Sequence, residues 1–103
     1  MPILTPGRIR HSVVFSLAHE AGSGAEADFI AAISALEQIP GVEAFELMRE
    51  VSPKNAYDHA LTMEFADRAA YTAYDEHPQH VAFVADRWDA EVTDFLEIDT
   101  VAR

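Results

Sequence analysis

The chain reads as an α+β domain with the element order βαββαβ, and three features of the sequence carry that expectation. Several short stretches alternate apolar and polar residues, the period of a strand. Between them lie stretches whose apolar residues recur at helical spacing. In the middle, two strand patterns are separated only by the polar link Ser52-Pro53-Lys54-Asn55, the simplest form of a hairpin.

Taken in order, residues 1–8 hold Pro2, Pro6 and Gly7 and read as an extended arm ahead of a domain spanning 9–103. From Ile9 to Leu17 strict alternation sets Ile9, His11, Val13, Phe15 and Leu17 on one face, with Arg10, Ser12, Val14 and Ser16 on the other. This is a strand with a histidine on its apolar side. Ser23-Gly24-Ala25-Glu26 has the form of a capping box. The stripe Phe29, Ile30, Ile33 and Leu36 then predicts a helix from Ala25 to Gln38, stopped by Pro40-Gly41. Val42 to Val51 alternates less cleanly and reads as a strand. Tyr57 to Phe65 reads as its hairpin partner, with His59, Leu61, Met63 and Phe65 on one face.

Asp67 is placed to cap a short helix whose usable face is Ala70, Tyr71 and Tyr74. Pro78 ends that helix, because proline has no N–H to donate and clashes with the preceding turn, yet it suits the first position of a new one. Val81, Val84, Trp88 and Val92 continue at helical spacing, and Thr93 to Val101 reads as the last strand. Together these elements give the ferredoxin-like plan, a four-stranded antiparallel sheet with helices on one face. The uncovered face is expected to hold Val, Leu and Phe, which cost about 25 cal/mol per Å² in water. A homodimer with two sheets packed face to face, a dimeric α/β barrel, would remove that cost.

At 103 residues the chain supports one domain. It has 18 Asp and Glu against 7 Lys and Arg, a formal net charge of −11. Such a surface repels nucleic acid and anionic membranes, so neither is expected as a partner. Without cysteine there is neither a disulfide framework nor a thiolate metal site. No apolar run reaches the roughly 20 residues of a membrane span, and no signal-peptide pattern opens the chain, so a cytoplasmic location is expected.

Ile9-Arg10-His11-Ser12-Val13-Val14-Phe15, Ile39-Pro40-Gly41-Val42, Val51-Ser52-Pro53, Tyr57-Asp58-His59-Ala60, the joint Tyr74-x-x-His77-Pro78-x-His80-x-x-Phe83, and Phe95-Leu96-Glu97-Ile98-Asp99 resemble the stress-responsive A/B barrel (Dabb) family. The resemblance covers about Ile9 to Asp99, and the Tyr/His-Pro-x-His joint is its most specific piece. It implies a ferredoxin-like protomer and a dimeric barrel. Many members are known only as stress-associated proteins. One plant member is a polyketide cyclase that closes a linear thioester by aldol condensation with a Tyr and a His. By that match Tyr74 and His80 are the pair carried over, with His11 and His77 lining the pocket. Some relatives also hold a cation through backbone oxygens after the first helix, here near Gln38 to Gly41.

Read as chemistry, an imidazole at His80 suits a general base and the Tyr74 hydroxyl suits a donor to a developing enolate oxygen. Together they fit proton abstraction beside a carbonyl, with no metal and no cofactor. The small-molecule pocket, between sheet and helices, is expected to be lined by His11, Val13 and Phe15 from the first strand and His77, Val81 and Phe83 from the joint. In the competing structural reading, His80 bonds a backbone carbonyl, Tyr74 packs on the sheet with its hydroxyl in water, and His77 is a helix cap. His59 reads as a strand-edge residue and His19 as an exposed loop residue. A metal site of His77, His80 and Asp75 or Glu76 is disfavoured because Pro78 breaks the helical register between the imidazoles. Two functional classes therefore stand: a small enzyme acting on an apolar carbonyl compound, and a non-catalytic dimer that binds a ligand or serves stress tolerance. A cofactor-free monooxygenase or decarboxylase is a third reading, through the fold alone.

Overall fold

The computed structural model describes residues 3–103. Strand β1 (Ile9–Leu17) is followed by helix α1 (Gly24–Ser34), the hairpin β2 (Glu43–Arg49) and β3 (His59–Phe65), helix α2 (Arg68–Glu76), helix α3 (Pro78–Phe83) and strand β4 (Val92–Thr100). The sheet is antiparallel, in the order β2-β3-β1-β4. The outer strand β2 pairs with its hairpin neighbour β3, whereas the other outer strand, β4, pairs with β1 from the opposite end of the chain, as the ferredoxin-like plan requires.

The alternation in β1 is realised: Ile9, His11, Val13, Phe15 and Leu17 are all buried beneath the helices. They meet Leu61, Met63 and Phe65 of β3 and Phe29, Ile33 and Leu36 from the first helical segment. Phe15, Phe29, Phe65 and Met63 are wholly buried, and burying such side chains stabilises the fold by about 1.5–3 kcal/mol each.

The helix ends follow the sequence signals with two refinements. Ser23 caps α1, its hydroxyl accepting from the Glu26 N–H at 3.2 Å, while the Glu26 carboxylate accepts from the Gly22 N–H rather than from its own cap residue. The helix expected to reach Gln38 tightens into a 3₁₀ turn over Ala35–Gln38. Ser34 donates its hydroxyl to the Ile30 carbonyl at 2.7 Å at that point, a local bond that competes with regular helix. Asp67 caps α2 by accepting from the Ala70 N–H at 2.8 Å.

The untidy alternation of β2 has a cause in a bulge. Ala44 takes φ 49°, and the pairing slips between Glu43 and Glu46, so an extra residue is inserted opposite β3. Phe45 and Leu47 then pack against the core. After α3 the chain makes a π turn over Val84–Trp88 and a last helical turn over Asp89–Glu91 before β4. The π turn lets Phe83 and Trp88, five positions apart, both reach the Phe29 ring.

Two expectations, those for His59 and His19, are corrected, and the arm proves to be anchored. Of the arm, Met1 and Pro2 lie outside the described residues. From Leu4 onward it is tied down: Leu4 is buried, and Arg8 is paired with Glu43 and Glu64. His59 is not a strand-edge residue; it is buried, stacked on Phe15 at 5.2 Å between centroids. His19 is not an exposed loop residue; it is half-buried, its Nε2 2.6 Å from Glu91.

The outer face of the sheet carries Val14 opposite Leu96, Ser12 opposite Ile98, and Met48 opposite Ala60. Leu96 and Ile98 are about half exposed. Contrary to expectation, no Phe lies on this face among the described residues: Phe95 pairs with Phe15 on the helix side, and Phe45 packs against the core. Among the described residues no helix is long and apolar enough to cross a membrane.

Candidate functional site

The helices leave the helix-side face of β4 only partly covered, and a cavity of about 300 Å³ opens there. Its floor is His11 and Val13 of β1. Tyr74 and Asp75 come from α2, His80 and Phe83 from α3, Trp88 from the π turn, and Phe95 and Glu97 from β4.

The corner at His77-Pro78 brings Tyr74 and His80 together. Because Pro78 stops α2 and starts α3, the last turn of one helix and the first turn of the next face the same space. The two rings lie 4.4 Å apart between centroids. His80 Nδ1 is 3.0 Å from the Asp75 carbonyl oxygen. A carbonyl can only accept, so the Nδ1–H donates and the neutral ring keeps its lone pair on Nε2. The backbone thus selects the tautomer that leaves a base free.

Tyr74 is 2% exposed. Its hydroxyl has no hydrogen-bond partner among the described residues, yet it is not sealed off from open space. Burial, followed by the nearby Asp75 and Glu97 carboxylates, raises the phenol above its ordinary pKa. Tyr74 therefore stays protonated at working pH and is a donor rather than a base.

His11 forms the opposite wall. Its Nδ1 donates to Asp99 at 2.7 Å, and the Tyr71 hydroxyl donates to the same carboxylate at 2.9 Å. Tyr71 is raised above the usual phenol range, first by burial and then by its bond to Asp99. With Nδ1 held by Asp99, the His11 Nε2 is the unprotonated nitrogen of the neutral ring. The His11 and Tyr74 ring centroids are 6.5 Å apart. Among the described residues no group of three or more His, Asp or Glu side chains is placed to hold a metal ion.

Of the residues proposed from sequence, His11, Val13, Tyr74, His80 and Phe83 line the cavity. Three do not. Phe15 is fully buried in the core beside Phe29 and Trp88. His77 is a helix cap, its Nδ1 accepting from the Gln79 N–H at 3.1 Å. Val81 points outward and is 54% exposed, because the restart at Pro78 sets the phase so that Phe83 faces in. Sequence reasoning missed Tyr71, Asp99, Glu97 and Trp88. A signal existed for one pair: once β1 and β4 are aligned antiparallel, the inward Asp99 lies directly across from the inward His11.

These features define a small α+β protein of ferredoxin-like fold with a histidine- and tyrosine-lined cavity between sheet and helices. The model of the stress responsive A/B barrel domain (Dabb) matches residues 9–102, and the chain belongs to that family. A Dabb family protein with a ferredoxin-like fold from Mesorhizobium loti is 53% identical, with a TM-score of 0.91 over 94% of this chain and 98% of that one. A dimeric protein of unknown function and ferredoxin-like fold from Bacteroides fragilis is 24% identical, with a TM-score of 0.71 over 97% of this chain and 100% of its own. A hydroxynitrile lyase from Passiflora edulis is 16% identical, with a TM-score of 0.82 over 96% of each chain. At these lower identities the likeness is one of fold. No curated protein matches the chain.

Proposed function

We propose that the chain is a small cofactor-free acid–base catalyst acting on an apolar carbonyl compound, with His80 as the base and Tyr74 as the donor to the carbonyl oxygen. One observation carries this reading: an unpartnered, buried Tyr74 hydroxyl beside an imidazole whose Nδ1 is tied to backbone, both on one cavity. The His80 Nε2 takes a proton from the carbon next to the carbonyl. The electron pair moves onto the carbonyl oxygen, and the Tyr74 O–H stabilises the enolate through a hydrogen bond. Return of that proton from His80 Nε2–H to a different carbon completes isomerisation; in aldol closure the enolate carbon attacks a second carbonyl in the same molecule and the resulting alkoxide takes the proton back from His80. His11, aligned by Asp99, lines the same space as a second imidazole.

The test is exchange of the α-hydrogens of para-methylacetophenone for deuterium in heavy water, followed by NMR. The native chain is expected to speed exchange. His80→Ala should lower the rate on the order of a hundredfold and Tyr74→Phe by at least about tenfold, with the melting temperature within about 3 °C of the parent. Binding of the ketone without any exchange would favour the second reading, a non-catalytic ligand-binding protein. The tie between His80 and the Asp75 carbonyl also suits that reading.

We further infer that two copies pair through the outer sheet face as a dimeric α/β barrel. The half-exposed Leu96 and Ile98 beside Val14 support this. The helix-side cavity stays clear of such an interface.

A further inference from the structure

We propose that the cavity sorts its ligands by charge, taking a carbonyl compound whose tail is cationic or uncharged and rejecting one whose tail is a carboxylate or phosphate. This rests on the reading of the cavity as a carbonyl site and names the substrate class that site takes.

The cavity has a depth order. Tyr74 and His11 are nearly fully buried, His80 is half-buried, and Asp75, Asp89, Glu97 and Phe95 are exposed at the mouth. A carbonyl oxygen that reaches the unpartnered Tyr74 hydroxyl therefore leaves the rest of its molecule at the rim. Three carboxylates stand there, and no Lys or Arg lines the cavity. Among the described residues none of the three is held in an ion pair or hydrogen bond. Arg87, the cation next to Trp88 in sequence, is already engaged by Glu91 and Asp28. A fourth carboxylate, Asp99, lies behind His11. Like charges converging on a partly desolvated cleft repel an anion more strongly than they would in open water.

The aromatic residues act in the same direction. Trp88 and Phe95 meet edge to face at 5.4 Å, and Phe95 is 48% exposed. Aromatic faces at the mouth attract a cation through their quadrupoles and offer nothing to an anion. Attraction for one charge and repulsion of the other give selectivity in both directions.

The experiment compares three ketones of one shape by titration calorimetry at low salt: para-(aminomethyl)acetophenone, para-methylacetophenone and para-acetylbenzoate. The ammonium form is expected to bind at least as well as the methyl compound, and the carboxylate at least about tenfold more weakly. Added salt and the double variant Asp89→Asn, Glu97→Gln should both shrink that gap. Equal binding of all three, or tightest binding of the carboxylate, would overturn charge selection while leaving the carbonyl pocket standing. So would a double variant, folded by circular dichroism, that keeps the full gap. Binding of none would overturn the pocket reading and this proposal together.

Discussion

His80 offers a base only through Nε2, because its other nitrogen is committed to the Asp75 carbonyl. The same logic recurs at His11, where Asp99 accepts a hydrogen bond from Nδ1–H and is itself steadied by Tyr71. In their neutral forms both rings are therefore expected as the Nδ1–H tautomer. Tyr74, its ionisation suppressed by burial and by Asp75 and Glu97, supplies the matching donor. His80 and Tyr74 were legible in the sequence because a proline joint confines them to one corner within a few residues. Asp99 was not, since its partner His11 lies 88 positions away. Only the register of β1 against β4 brings that pair together, and periodicity says nothing about register between distant strands.

Element by element, the helix ends and strand faces were readable where a local signal existed. Ser23, Asp67 and Pro78 each act at the position their chemistry suggests. The region after α3 was harder, because a π turn changes the spacing and no residue type announces it. Val81 was assigned inward on helical spacing and is instead exposed. The end of this helical region is fixed at Glu91 to the residues that follow β1. Its carboxylate accepts from Arg87 and meets His19, and its backbone carbonyl accepts from the Ala18 N–H at 2.9 Å. Arg87, and after it His19, hold the Glu91 carboxyl below its ordinary pKa of 4.5. A group depressed in the folded state adds stability above its unfolded pKa and loses it as pH falls through the folded value. Melting temperature measured from neutral to acid pH should therefore fall less steeply for Glu91→Gln than for the parent. An equal slope would show that this contact adds nothing to acid sensitivity.

For the molecule as a whole, the order βαββαβ and the one-sided helical layer followed from pattern alone. The apolar character of the outer sheet face also did, though its composition is Val, Leu, Ile and Met rather than Phe. Exposed apolar residues gathered on a sheet face are the expected mark of an interface. Light scattering at micromolar concentration should give about twice the 11.4 kDa of one chain. Leu96→Glu with Ile98→Glu should reduce it to one chain, since paired sheets would bury both charges without partners. A monomeric parent would rule out the barrel. The cavity on the opposite side of the sheet would survive that result.

The chemistry stands or falls on the free nitrogen of His80, and nitrogen-15 NMR of the imidazoles reads it directly. In its neutral form, His80 should show a protonated Nδ1 and a bare Nε2, and para-methylacetophenone should shift that Nε2 while leaving His77 unmoved. A bare Nδ1, or an Nε2 indifferent to the ketone, would contradict a base facing the cavity.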